Sequence, residues 1–552
     1  MRVRGVDAWP GALTADLVEE VHSGRRVRCY PPPRPRTLGD LLDRAATRVP
    51  EREAVVDGAR RLTWRELRTE ARRLAAALAA RHAVEPGDRV ALLLMNGLEF
   101  CLGVFACAVL GAVAVTLNTK LRARELEFML RHSGARLLLM NAEWWPEIEA
   151  IRGRIPCEAY YLTGERVAGT EPFATLLAAG VTPPAVAVEE DDTAFIMYTS
   201  GTTGLPKGAE GTHGGIISSV MTYERCFGLA EHERSLVAVP LFHVTGLIAQ
   251  LLTMAHVGGT TVIMKSFSAP ETLRLLDAER ITHMVAAPTV YVMMMAQPHY
   301  REVGRSVRIL AYGGAPIPAD SVRALRDWLP RARLHNAYGM TETCSPATIL
   351  PDADAVRRVA SVGLPIPTAE VRTVQLETGA DCAAGEVGEL LVHGPMVVPR
   401  YWANPEATRA TMGDGWMRTG DLARVDADGY VTIVDRLKDM INRGGEKIYC
   451  VEVEDVLCGH PDVLEAAVVG VSDPVYGEAV KACVVAKPGR RLDPDELRTW
   501  VGARLAKFKT PRDVAVLDAL PRNPNGKVVK GALRWVQSPQ ARIDQGSTLD
   551  SP

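Results

Sequence analysis

The sequence lacks several features that would fix a class at once. It has no excess of charge of either sign: 64 Lys and Arg stand against 66 Asp and Glu, a formal net charge of −2. Binding to nucleic acid or to an anionic membrane by bulk electrostatics is therefore not expected. Ten cysteines are present, but none forms a C-x-x-C pair or stands at zinc spacing from a histidine. Reduced thiols are expected, with neither a disulfide framework nor a zinc site. No apolar signal core follows the first residues. The longest apolar run, Phe100 to Val115, spans about 16 residues, short of the ~20 that a membrane helix needs. It reads as a buried helix leading into a strand. There is no internal repeat, and no G-x-x-x-x-G-K-[ST] loop, which sets aside the P-loop kinases and GTPases. A cytoplasmic globular protein is expected, with no transmembrane segment and no nucleic-acid partner.

What is present is size and alternation. At 552 residues the chain exceeds the roughly 250–300 that one core serves, so two or more domains are expected. Residues 1–36 read as a peripheral leader ending in PPPRPR, where proline precludes regular structure. From Leu38, helical and strand patterns alternate, with Thr63 placed to cap a long amphipathic helix. This predicts an α/β fold with parallel sheets flanked by helices. From about Val362 turns and short strands predict a β-rich portion. Residues 436–536 alternate helix and strand over a span suited to a small α+β domain. The expected organisation is a large domain over 37–435, the small domain over 436–536 and a disordered tail over 537–552.

The most informative stretch is Tyr198 to Gly208, YTSGTTGLPKG. It follows an apolar strand pattern and concentrates hydroxyls (Thr199, Ser200, Thr202, Thr203), glycines (Gly201, Gly204, Gly208) and Lys207. Glycines free backbone N–H groups to converge on an anion, hydroxyls add donors, and lysine adds a point charge suited to phosphate. A phosphate cradle is the natural reading. Other segments follow in order: PLFHVTGL around His243, GGAP from Gly313, HNAYGMTET from His335, RTGDL from Arg418, DRLKDMINRGGEKI from Asp435, and PRNPNGKVVK around Lys527. Each alone has a bland reading as turn, core or surface.

Together and in this order, they resemble the adenylate-forming superfamily of acyl-CoA synthetases, peptide-synthetase adenylation domains and beetle luciferases. The resemblance runs from about Leu38 to Lys530. It implies that Thr199 to Gly204 and Lys207 hold the ATP phosphates. Gly314, Ala315 and Pro316 would line adenine, with Asn336, Ala337, Tyr338, Gly339, Met340 and Thr341 also at the nucleotide. Glu342 would hold Mg²⁺, a hard cation that prefers carboxylate and phosphate oxygens. Asp421 would bind the ribose hydroxyls, with Ile433 and Arg436 beside the nucleotide. Phe242, His243, Val244, Val290, Met294, Gly313 and Gly339 would line the acyl pocket. Catalytic roles would fall to Thr199, His243, Glu342 and Lys527. Lys438 would be the hinge, and Gly444, Gly445, Glu446 and Lys447 would border the CoA tunnel. Thr119 and Cys450 stand where many relatives carry proline.

The implied reaction is ATP-dependent activation of a carboxylic acid as an acyl-adenylate, followed by thioester formation with CoA. The implied pocket segments hold Val292, Met293 and Met295 besides those named, and Phe242–Leu251, Thr289–Met295 and Ala311–Ala315 contain no lysine or arginine. A second substrate carboxylate would lack a partner there, which favours a fatty or aromatic monocarboxylic acid. Alternatives keep the adenylate and change the acceptor to a carrier-protein thiol or another nucleophile, or to oxygen as in luciferases. A nucleotide-binding sensor without catalysis is a further alternative.

Overall fold

The structure is a computed structural model, and it describes residues 1–178, 182–199, 205–522 and 528–536. By contact density the chain divides into two units. The first comprises Met1–Arg372, Leu391–Arg418 and Asp426–Thr432; the second comprises Thr373–Leu390, Thr419–Val425 and Ile433–Pro552.

The first unit holds two large sheets. In the seven-stranded sheet the order is Glu171–Pro172, Ala159–Thr163, Leu137–Asn141, Arg89–Leu93, Val113–Thr116, Thr193–Thr199 and Lys207–Thr212. All neighbours are parallel except the last two, which form an antiparallel pair with Thr199 opposite Lys207. The nine-stranded sheet runs parallel through its middle, from Glu53–Asp57 to Arg333–Met340, and is antiparallel at both edges. Helices Ala269–Ala278, Pro288–Met295 and Ala319–Trp328 bury their apolar stripes on it, around Leu236, Met284, Leu310 and Leu334. Strand–helix alternation thus yields the parallel sheets that the sequence pattern predicts.

Local chemistry sets the boundaries. Thr63 caps the helix Trp64–His82: its hydroxyl accepts from Glu66 N–H at 3.3 Å, while Glu66 accepts from Thr63 N–H at 2.8 Å. Gly111 ends the apolar helix Leu98–Leu110 in the left-handed conformation, and the chain passes into the strand Val113–Thr116. No helix among the described residues is long and apolar enough to cross a membrane.

The first 36 residues supply regular structure ahead of the prolines. Arg2–Arg4 pairs antiparallel with residues 370–372, and Val18–His22 pairs with Arg25–Cys29. Trp9 is buried and donates its indole N–H to Pro365 O at 2.7 Å. Tyr30 is buried with its hydroxyl 3.0 Å from that of Thr222. The leader is stapled to the first unit by aromatic anchors.

The second unit contains a five-stranded sheet built from Ile441–Arg443, Glu446–Ile448, Val463–Asp473, Gly477–Ala486 and Asp513–Leu517. Its period-2 pattern splits cleanly. Val468, Val480, Ala482, Val484 and Val514 face the helices Cys450–Cys458 and Pro494–Gly502, whereas Ala467, Val469, Cys483 and Ala515 meet Leu520 and Leu533 on the other side.

Candidate active site

Two parallel strands end side by side in the nine-stranded sheet. Ile309–Gly313 lies against Arg333–Met340, with Gly313 opposite Ala337. A Cβ on Gly313 would lie 2.2 Å from Ala337 O, so only glycine allows this pairing. Gly314, Ala315 and Pro316 follow as an exposed loop, with Gly314 at φ +77°. Asn336 is buried, and Ala337, Tyr338, Gly339 and Met340 are half-buried along the neighbouring strand end. The carboxyl ends of parallel strands are where open α/β sheets receive ligands.

The strand then makes a tight turn, Thr341–Thr343, before returning as Ser345–Leu350. Thr343 holds the turn: its hydroxyl accepts from Met340 N–H at 3.0 Å and lies 3.1 Å from Met340 O and 3.0 Å from Ser345 O. Cys344 and Ser345 adopt φ +45° and +96°, an uncommon conformation for non-glycine residues and one that concentrates at functional sites. Ser345 is fixed by the buried Tyr223, whose hydroxyl lies 2.8 Å from its own.

This turn presents Glu342, which is 9% exposed. Its Oε1 accepts from Tyr401 O–H at 2.9 Å and from Thr199 O–H at 3.2 Å. Its backbone carbonyl accepts from Val398 N–H at 2.9 Å. Lys207 Nζ sits 5.3 Å from the centroid of the Tyr401 ring. Burial, and then the adjoining Glu342 charge, push the Tyr401 phenol far above its ordinary range, so it stays protonated and donating. One cluster thus unites a carboxylate, a hydroxyl from the end of one strand and a lysine from the start of the next. Tyr198, one residue before Thr199, is anchored with its hydroxyl 2.9 Å from His132 Nδ1 and 3.2 Å from Met129 O. Ser200, Gly201, Thr202, Thr203 and Gly204 lie outside the described residues, as does Lys527.

Tyr401 carries no motif signal. It stands in PRYWANPE, 59 residues beyond Glu342, and reads as one of two adjacent aromatics before a helix start. Its position comes from the backbone: it bridges to Ala209, and Trp402 N–H donates to Gly208 O at 2.7 Å. Such long-range pairing has no local pattern.

Phe242 and His243 are half-buried and Val244 is buried. His243 Nδ1 lies 3.4 Å from the Thr245 hydroxyl. The next turn, Leu247–Leu252, is a π-helix, a rare form often found at functional sites and one that the apolar pattern GLIAQLL does not announce. In the helix Pro288–Met295, Val290 and Met294 belong to the buried core of the sheet, whereas Val292 and Met293 face outward at 43% and 53% exposure.

In the second unit, Asp421 is buried and Arg436 Nε lies 3.3 Å from its Oδ1. Ile433 is half-buried on the strand that ends at Arg436. Asp435 accepts from the N–H groups of Arg436 and Cys450, yet burial pushes its carboxyl up to about 6. Lys438 is exposed in the following turn. Gly444 and Gly445 form the two-residue connection between Ile441–Arg443 and Glu446–Ile448, at φ +61° and +94°. Two successive positive φ values define the hairpin turn that demands glycine, which accounts for both residues on backbone grounds. Glu446 and Lys447 are exposed, and Lys447 pairs with Glu377 at 2.6 Å.

Comparison with known proteins gives these features a family. Residues 42–402 match the model of the AMP-binding enzyme family, and residues 452–527 match that of the AMP-binding enzyme C-terminal domain. A feruloyl-CoA synthase from Amycolatopsis sp is 40% identical over 499 residues, covering 90% of this chain and 98% of the relative. The long-chain-fatty-acid–CoA ligase FadD13 of Mycobacterium tuberculosis is 36% identical over 503 residues, with the same coverages. The o-succinylbenzoate CoA synthetase of Bacillus subtilis, solved with its acyl-adenylate intermediate, superposes with a TM-score of 0.80 at 34% identity, covering 90% of this chain and 98% of that one. The chain therefore belongs to the AMP-binding enzyme family and is an AMP-forming acid–thiol ligase.

Proposed function

We propose that this ligase activates a monocarboxylic acid, aromatic or fatty, as its acyl-adenylate and passes the acyl group to the thiol of CoA. The observation that carries the reading is the cluster of Glu342, Thr199 and Lys207 around Tyr401, which gathers anion donors and a carboxylate at one strand end. Relatives named for feruloyl and long-chain fatty substrates support a monocarboxylic acid with a large apolar body. The absence of lysine and arginine from Phe242–Leu251, Thr289–Met295 and Ala311–Ala315 disfavours a substrate with a second carboxylate at those segments.

A carboxylate resists nucleophilic attack because its charge repels the nucleophile and oxide leaves poorly. In this reading a substrate oxygen attacks the α-phosphorus of ATP and pyrophosphate departs. The thiolate of CoA then attacks the acyl carbon and AMP departs with the oxygen that formed the mixed anhydride. Lys207, the Thr199 hydroxyl and the loop Ser200–Gly204 bind phosphate oxygens, and Lys527 serves the adenylation step. Asp421 takes the ribose hydroxyls, to which an acceptor-only carboxylate is suited, with Arg436 beside it. Mg²⁺, when bound with ATP, would neutralise phosphate charge. Glu342 fits as its protein ligand: it is a buried oxygen donor whose Oε2 receives no hydrogen bond among the described residues. Lys438 is the pivot by which Lys527 gives way to the Gly444–Lys447 segment between half-reactions. His243 borders the acyl group; it is not a general base, since a carboxylic acid is already ionised at neutral pH.

The test is ATP–pyrophosphate exchange over hydroxycinnamic, benzoic, medium-chain, long-chain and malonic acids, followed by mass detection of the CoA thioester. Exchange with one monocarboxylic class and thioester formation with free CoA are expected. Exchange confined to malonate would overturn the substrate class, and exchange without a CoA thioester would move the acceptor to a carrier protein.

A further inference from the structure

Glu342 has two oxygens, and the fold treats them differently. Oε1 is engaged by two hydroxyls, Tyr401 at 2.9 Å and Thr199 at 3.2 Å, while Oε2 receives no hydrogen bond among the described residues. The two donors are not equivalent. The Thr199 hydroxyl also lies 3.5 Å from Lys207 O, and in the proposed function it binds phosphate, so an arriving nucleotide competes for its single proton. Tyr401 is 6% exposed, donates its hydroxyl to Glu342, and is fixed through its backbone by the bridge to Ala209 and the Trp402–Gly208 hydrogen bond. Its ring lies under the Lys207 ammonium.

We infer that Tyr401 is a positioning residue for the metal–nucleotide complex: by occupying Oε1 it fixes the Glu342 carboxylate with Oε2 turned toward a divalent cation. The inference rests on the reading of Glu342 as the metal ligand. Tyr401 touches neither nucleotide nor acid in this account and acts through the carboxylate alone. A hydrogen bond to a charged group carries enough free energy to hold one orientation against free rotation. Without it, Thr199 is the one remaining hydroxyl on Oε1 among the described residues, and the nucleotide draws it away.

The test uses the full-length protein with Mn²⁺ and the non-hydrolysable analogue α,β-methylene-ATP, bound Mn²⁺ being read from loss of the free-ion EPR signal. Tyr401→Phe removes the hydroxyl and keeps the ring under Lys207. It should bind Mn²⁺ with the analogue about tenfold to a hundredfold more weakly, the scale of one charge-assisted hydrogen bond. Binding of the analogue without metal and the thermal midpoint should stay close to the parent values. Glu342→Gln should weaken Mn²⁺ binding at least as much, and adding Tyr401→Phe to it should cost little more, because one residue acts through the other. If Glu342→Gln weakens Mn²⁺ binding and Tyr401→Phe does not, Tyr401 has no positioning role. If neither does, the assignment of Glu342 itself falls. Equal weakening of metal-free binding by Tyr401→Phe would assign its effect to Lys207 and overturn the inference.

Discussion

Replacing Gly339 by alanine tests whether backbone closeness at the strand end sets the Glu342 turn. A Cβ there would lie 1.5 Å from Ser345 O, 2.6 Å from Ser345 C and 3.1 Å from Pro346 Cα. Real Cβ contacts do not fall under 3.0 Å, so the Ser345 carbonyl must retreat by about 1.5 Å. Little slack is available. Ser345 already sits at φ +96°, its carbonyl lies within hydrogen-bonding reach of the Thr343 hydroxyl, and its own hydroxyl is pinned to Tyr223. The displacement is therefore passed to Thr341–Thr343, and Glu342 moves with it. A shift of about 1 Å in a positioned group costs roughly 10²-fold in rate. Overpacking of this kind also costs ~1–3 kcal/mol of stability. The assay is ATP–pyrophosphate exchange with the best acid, alongside the thermal midpoint. Gly58→Ala, away from the site, is the control: its added Cβ meets nothing within 4 Å, and only the φ of +61° penalises it, by ~1–2 kcal/mol. Exchange should fall about a hundredfold in Gly339→Ala and far less in Gly58→Ala. Parent-like exchange in Gly339→Ala would refute the reasoning.

Lys527→Ala should slow adenylation roughly 10²–10³-fold and leave thioester formation from supplied acyl-adenylate nearly unchanged; equal loss in both half-reactions contradicts its role. Trp9→Ala removes a buried indole and its bond to Pro365, costing ~3–5 kcal/mol, so the thermal midpoint should drop and protease should cut the leader first. Asp435 is pushed up to about 6 by burial, against ~3.9 for an ordinary aspartate. The fold holds its proton more tightly than the unfolded chain, so this contribution to stability is present below about pH 4 and lost as pH rises through about 6. Relative to Asp435→Asn, the parent should lose stability across that window, and parallel pH–stability curves would contradict the burial argument.

Much of the architecture was legible because its signals are local. The capping box at Thr63, the glycine stop at Gly111 and the apolar strands each depend on residues within one turn or one strand. The candidate site was legible where a motif carries its own chemistry, as at Thr199, Lys207 and Glu342. Contacts between distant segments were not. Tyr401 reaches Glu342 through a bridge at Ala209, and Trp9 reaches Pro365 across most of the first unit's sequence. The methionines of Pro288–Met295 show a middle case. Helical periodicity separates buried Val290 and Met294 from exposed Val292 and Met293, although composition alone groups all four as pocket candidates. Gly444 and Gly445 carry a second lesson: a hairpin turn suffices to require both, so their presence is weak evidence for a tunnel.

The central claim is that the acid opens ATP at its α-phosphorus. The direct measurement is turnover with an ¹⁸O-labelled carboxylic acid and CoA, followed by ³¹P NMR of the products. The account predicts AMP and pyrophosphate, with one ¹⁸O transferred to AMP. Formation of ADP and orthophosphate, with the label in orthophosphate, would contradict it.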